Sequence, residues 1–237
     1  MKPRFDNSLR KIRAASVKLD PFPHVIIPNF FDPDVYLNIQ EYWPERKYFP
    51  AHNYSQKFKS RVFLPMEPNS FGDMDYINAY FWNYIINFLL GKEFWEPLIQ
   101  KTEKYIELPT SVSSLGFPHG VLQEDDMGWE LPPHIDGPDQ TITVFFYLPN
   151  NADAQNLGTS LYYTDAMSSD IKPEIPTGYY DFLSYTRKVD VPYVPNQCLI
   201  MIRTRKSFHG FEPKAWPAGY TRKSIILGIK AIDTPPI

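Results

Sequence analysis

Thr141-Ile142-Thr143-Val144-Phe145-Phe146-Tyr147-Leu148 is the stretch whose reading decides the fold. β-Branched and aromatic residues fill it, and these favour extended backbone. Along a strand, successive side chains point to opposite sides. Thr141, Thr143, Phe145 and Tyr147 therefore share one face, and Ile142, Val144, Phe146 and Leu148 the other. The second face is apolar throughout and the first turns aromatic toward its end. A strand that buries both faces belongs inside a layered β structure.

Short runs of the same texture recur around it, at 110–117, 158–164, 178–185, 189–194, 197–203 and 224–232. Gly137-Pro138, Asn150-Asn151, Pro195-Asn196 and the stretch 217–219 separate them with turn chemistry. Seven or more such runs point to a sandwich or barrel. Upstream, from about 30 to 105, the pattern is helical. Asp32-Pro33 reads as a cap followed by proline at the first helical position. Val35 and Ile39 then share a face, and Trp43-Pro44 closes the helix. A second helix is expected from Ser70 or Asp73 to Gly91, and a third over 94–105. The fold class expected is α+β, mainly β, with N-terminal helices packed against the strands.

With 237 residues, 43% of them hydrophobic and 16% aromatic, the chain is neither disordered nor fibrous. No low-complexity linker interrupts it, so a single domain over 1–237 is expected. It would comprise a basic N-terminal arm (1–18), helical support (about 30–105) and a β core (about 108–232). A formal charge of −3 lacks the basic footprint of a nucleic-acid binder. The one cysteine, Cys198, excludes an internal disulfide and suits a reducing compartment. The longest apolar stretch, 77–90, contains three Asn and is too short for a membrane span of about 20 residues. No apolar run follows the basic N-terminus, so a cytoplasmic location is expected. The oligomeric state is not legible.

Of five histidines, one has a suggestive setting. Pro132-Pro133-His134-Ile135-Asp136-Gly137 places His and Asp two apart before a β run, on one side of an extended backbone. His209 follows the apolar run at 197–203. Arg222-Lys223-Ser224 opens the last run, with Arg222 and Ser224 on a common face. Two histidines and one carboxylate form the facial triad of non-haem iron(II) oxygenases, which leaves coordination positions open. A hydrogen-bonded His–Asp turn is the plainer reading of His134 and Asp136 taken alone.

The ordered set His134-x-Asp136, His209 and Arg222-x-Ser224 resembles the 2-oxoglutarate/iron(II)-dependent oxygenases, and its flanks resemble the prolyl-hydroxylase-like branch. Supporting pieces are Phe146-Tyr147-Leu148-Pro149-Asn150, Gly158-Thr159-Ser160-Leu161-Tyr162, His209-Gly210, and Pro23-His24-Val25-Ile26 with Asn29-Phe30-Phe31. Members often carry Gly-Gly where this chain has Gly158-Thr159, and the step from His209 to Arg222 is slightly long for the branch. The resemblance implies a double-stranded β-helix, that is, a jelly-roll or cupin-like core. It implies Fe(II) held by His134, Asp136 and His209, with 2-oxoglutarate and O2 as cosubstrates. Arg222 and Ser224 would take the distal carboxylate; a guanidinium offers it two parallel donors, which Lys cannot. The retained Asp136 argues against a halogenase. The reaction implied is hydroxylation of a small molecule or of an amino-acid or peptidyl residue, with release of succinate and CO2.

Trp129 lies in an irregular-looking segment, 118–131, that reads as a lid, and it is a candidate substrate contact or a packing residue. Arg203, with Arg205 and Lys206, either attracts an anionic substrate or is a solvated strand end. His24 reads as structural, His52 and His119 as exposed loop residues, and Cys198 as a core thiol. Three rival readings stay open: the same metal site giving a desaturation, cyclisation or epimerisation, a zinc-dependent enzyme with the same ligands, and a jelly-roll binding protein without activity.

Overall fold

The computed structural model describes residues 5–50, 60–67, 70–106, 114–116, 118–137, 139–151, 153–163 and 186–232. The decisive stretch forms β6, Gln140–Tyr147, and its two faces part as the alternation predicts. Ile142, Val144 and Phe146 join the core beneath the helices, whereas Tyr147 belongs to a second core, shared with the other sheet.

Eleven strands are seen among the described residues. In chain order they are β1 (His24–Ile27), β2 (Arg61–Pro65), β3 (Ser114–Leu115), β4 (His119–Asp125), β5 (Leu131–His134), β6, β7 (Thr159–Tyr163), β8 (Thr186–Val191), β9 (Gln197–Ile202), β10 (His209–Phe211) and β11 (Arg222–Ile232). The larger sheet runs β1-β9-β6-β11-β4-β2, with β3 also paired to β11; the smaller runs β5-β10-β7-β8. Every pairing is antiparallel. The helices are α1 (Asp6–Ala14), α2 (Pro33–Glu41), α3 (Tyr76–Leu89) and α4 (Lys92–Thr102). The expected mainly-β α+β architecture is what the structure has.

Helices cover one face of the larger sheet. Phe146 is the joint: its ring lies 5.0 Å from that of Phe30, 5.1 Å from Phe31 and 6.1 Å from Phe94. The same alternation runs through the central strands. On β11, Ile225, Leu227 and Ile229 face the helices, and on β9 Cys198 and Ile200 do. Leu199 and Met201 of β9 pack in the core between the sheets with Tyr147, Leu161, Val191, Tyr193 and Phe211.

Several elements depart from the sequence reading. The stretch 118–131 is not a lid: half of it is β4, paired on both edges with β2 and β11. Its acidic end reads as a loop but is satisfied on both faces. Glu124 accepts from Trp43 Nε1 at 2.8 Å and Arg46 at 2.6 Å, while Asp125 turns the other way to meet two arginines. Within the basic arm, Asp6–Ala14 form helix α1, with Ile12 fully buried and the ring of Phe5, just before it, stacked 3.6 Å from that of Phe88. Helix α3 begins later than expected, where Asp75 accepts from the backbone N–H groups of Ile77 and Asn78, both at 3.1 Å. The third helix runs two residues earlier than expected and ends in a 3₁₀ turn, Glu103–Tyr105. The run expected at 178–185 and His52 lie outside the described residues. His119 sits exposed on β4 rather than in a loop, and buried His24 bonds through Nδ1 to the Phe22 carbonyl at 2.8 Å. Cys198 is buried, and burial pushes its thiol well up in pKa. No helix among the described residues is long and apolar enough to cross a membrane.

Candidate metal centre and its cavity

His134 ends β5, Asp136 lies just beyond it, and His209 opens β10. The pairing of β5 with β10 sets His134 directly across from His209. That register brings together two side chains 75 positions apart. Their rings lie 4.4 Å apart, and each Nε2 is 3.7 Å from Asp136 Oδ1. One ligand atom from each residue falls within 4.8 Å of the others, a spacing that fits three bonds to one metal ion.

The histidines are aimed from behind. His134 Nδ1 is 3.0 Å from the Pro132 carbonyl and His209 Nδ1 is 3.1 Å from that of Ser207. A carbonyl only accepts, so each Nδ1 carries the proton and each Nε2 presents its lone pair to the shared point. Burial, and next the neighbouring His209, hold the His134 pKa below the ordinary imidazole value. That keeps the ring neutral, the form a metal requires. Asp136 is braced twice. Thr143 Oγ1 donates to its Oδ2 at 2.7 Å, and Arg203 Nε donates to its backbone carbonyl at 3.1 Å. Burial works to raise the Asp136 carboxyl, but the two imidazoles and the Thr143 hydroxyl bring it below the usual carboxylate range.

A cavity of about 360 Å³ opens onto these three residues. Phe63, Trp129, Phe145 and Phe211 give it aromatic walls, and Arg61, Gln123 and Arg222 add polar groups. Arg222 is buried. Its Nε donates to the Leu157 carbonyl at 2.8 Å and its Nη1 to Asp125 Oδ2 at 2.7 Å. The rings of Tyr193, Phe211 and Tyr147 lie 5.2, 5.2 and 5.6 Å from its guanidinium carbon. Ser224 shares the Arg222 face of β11, and among the described residues neither its buried hydroxyl nor Gln123 Oε1 has a hydrogen-bond partner. Orphaned buried polar atoms beside a guanidinium fit a polar ligand that brings its own partners.

The sequence reading thus places His134, Asp136 and His209 together and sets Arg222 in the same cavity. Ser224 is buried beside Arg222 in the strand but is not part of the cavity wall. Trp129 lines the wall, with the Arg61 guanidinium carbon 3.5 Å from its ring centre. Arg203 stands outside that wall and grips the Asp136 backbone instead. Three residues were missed: Thr143, Asp125 and Arg61. Thr143 lies on the same strand face as Phe145, and that alternation was the one signal for it. Nothing local marks Arg61.

No family model matches the chain, and no curated protein matches it. Solved structures do. A prolyl 4-hydroxylase from Phytophthora capsici aligns with a TM-score of 0.54 at 14% identity, covering 98% of this chain and 66% of that one. A Pseudomonas putida prolyl-4-hydroxylase aligns at 0.52 and 11% identity, over 96% and 100%. HygX from Streptomyces hygroscopicus, in a structure with nickel and 2-oxoglutarate bound, aligns at 0.53 and 10% identity, over 87% and 82%. A further HygX structure also holds hygromycin B. The chain therefore spans just under two thirds of the first of these and shares its fold with all three. The resemblance read from the sequence holds at the level of the fold.

Proposed function

We propose that the protein is an iron(II)- and 2-oxoglutarate-dependent oxygenase that hydroxylates an unactivated C–H bond of a small molecule or of an amino-acid or peptidyl residue. One observation carries this reading: His134, Asp136, His209 and Arg222 line a single cavity. The chemistry of the donors supports it. Two imidazoles and a carboxylate suit Fe(II) and leave positions open for a chelating cosubstrate and O2. Among the described residues, the cavity wall also carries two guanidiniums, of partly buried Arg61 and buried Arg222, both paired with one buried carboxylate, Asp125. A surplus of positive charge away from water favours an anion. A metal site and a cation in one cavity suit a dicarboxylate, which 2-oxoglutarate is. A zinc hydrolase has no use for the second grip.

Each residue then has a defined task on what this reading takes to be a double-stranded β-helix, the helices and both sheets acting as one oxygenase unit. His134, Asp136 and His209 hold the metal. Thr143 and Arg203 fix the Asp136 carboxylate and backbone. Arg222 donates to the distal carboxylate of the cosubstrate, with Ser224 as a nearby hydroxyl donor. Trp129, Phe145 and Phe211 exclude water. The bound metal and cosubstrate supply the oxidising power: one oxygen atom of O2 enters the substrate as a hydroxyl, the other enters succinate, and CO2 leaves. A cavity of about 360 Å³ lies within the range of small-ligand sites, roughly 300–1,000 Å³. The presence of hygromycin B in one HygX structure is consistent with a small-molecule substrate.

The test is anaerobic addition of Fe(II) and 2-oxoglutarate. A weak visible charge-transfer band should appear, and admission of air should release succinate slowly even without substrate. His134→Ala and His209→Ala should abolish both. Succinate release that survives both substitutions would falsify the assignment.

A further inference from the structure

β2, β4 and β11 lie side by side, and one register line crosses them: Arg61 is directly opposite Asp125, and Asp125 directly opposite Arg222. Opposed residues of neighbouring strands project from the same face within about 5 Å of one another. The alignment gives a row of cation, anion and cation. Asp125 is fully buried, and the side chains of Arg61 and Arg222 are 13% and 3% exposed. The contacts are unequal. Arg61 Nε donates to Asp125 Oδ1, and Arg61 Nη2 to Oδ2 at 3.1 Å. Arg222 reaches Oδ2 through Nη1 alone, and Gln123 Nε2 donates to the same oxygen at 2.9 Å. Arg61 thus takes both carboxylate oxygens, while Arg222 takes a share of one. Trp129 stacks on the Arg61 guanidinium at 3.5 Å and screens it from water, which strengthens its hold on Asp125.

We propose that Arg61 is a positioning residue for cosubstrate binding: by occupying Asp125 it keeps that carboxylate from neutralising Arg222. Asp125 orients the Arg222 side chain through one hydrogen bond, and Arg61 prevents that bond from becoming a closed ion pair. With Arg61 in place, the three groups keep one positive charge for one incoming carboxylate. Without it, Arg222 and Asp125 cancel, and a dicarboxylate gains little over a ligand with a neutral tail. The inference rests on the cosubstrate reading given above and adds the residue that sets its charge selectivity.

Binding, not turnover, is the readout. Mn(II) serves as the probe metal, and calorimetry follows first Mn(II) and then 2-oxoglutarate. Arg61→Met should weaken 2-oxoglutarate tenfold or more and leave Mn(II) affinity unchanged; the intact metal site reports that the variant is folded. Arg61→Lys, which keeps the charge, should stay within a few-fold of the parent. The double variant Arg61→Met/Asp125→Asn removes one charge of each sign. It should bind 2-oxoglutarate more tightly than Arg61→Met does, because the surplus positive charge returns. A role in packing alone makes the double variant the worst of the series. Parent-like binding by Arg61→Met, or a double variant no better than the single, overturns the inference and leaves the oxygenase reading standing. Failure of the Mn(II)-loaded parent to bind 2-oxoglutarate overturns both.

Discussion

Thr143 is the residue whose contribution is simplest to isolate. Its hydroxyl holds Asp136 Oδ2 at 2.7 Å, and it sits on β6 with the rest of that strand intact around it. Removing such a support from a metal ligand weakens the metal by about 10- to 100-fold. Thr143→Val is therefore expected to lower Mn(II) affinity by about that factor, in a titration followed by electron paramagnetic resonance, with little change in the fold. An unaltered affinity would mean that the hydrogen bond does not steer the carboxylate. At this scale the sequence disclosed the metal-binding candidates and hid their supports. His134 and Asp136 are two apart in extended backbone, a pattern visible locally. Arg61, by contrast, acquires its place only when β2 pairs with β4. No spacing along the chain connects it with Asp125, 64 positions on, or Asp125 with Arg222, 97 positions beyond that.

Among the elements, those with a clean alternation were legible. β6, β7, β9 and β11 fall within a residue or two of expectation; β6, β9 and β11 turn one apolar face to the helices, and β7 turns Leu161 into the core between the sheets. β2, β4 and β5 were missed for physical reasons. The inward positions of β2 and β4 carry Arg61, Gln123 and Asp125, which serve the cavity rather than the core. β5 contains Pro132 and Pro133, tolerated because it is an edge strand of its sheet. The helices were visible, but not their seat, which is the cluster of Phe30, Phe31 and Phe94 on Phe146. Truncating a buried Phe at such a joint costs about 3–5 kcal/mol. Phe146→Ala is expected to show that loss in urea denaturation. A loss under 1 kcal/mol would mean that the helices hold to the sheet by other contacts. Gly158 leads into β7, and a Cβ there would be driven into the Val191 carbonyl. The departure from Gly-Gly thus falls at Thr159, which accepts a hydrogen bond from Tyr147 at 2.7 Å, and not at the position that tolerates no side chain.

For the whole molecule, ligands that bind only the folded chain should stabilise it. At a concentration 100 times its dissociation constant, a ligand adds about 2.7 kcal/mol. For a protein of this length that is about 5–11 °C in melting temperature, at roughly 2–4 °C per kcal/mol. Mn(II) is expected to raise the melting temperature, and 2-oxoglutarate to raise it further only when Mn(II) is present. Arg222→Met should keep the first increment and lose the second. An undiminished second increment in that variant would remove Arg222 from the cosubstrate's grip. The division of labour across the larger sheet carries one more consequence. The cavity wall and the helix-bearing scaffold sit back to back on the same strands, separated by the thickness of a single backbone. Ile142, Val144, Phe146, Ile225 and Leu227 pack in the core under the helices and can be exchanged for other apolar residues of similar bulk with little effect on the cavity side. A handful of inward-pointing residues is all that must persist. Sequences built in this way can diverge until barely one position in ten agrees while the architecture endures, which is the degree of agreement found with the solved structures that share it.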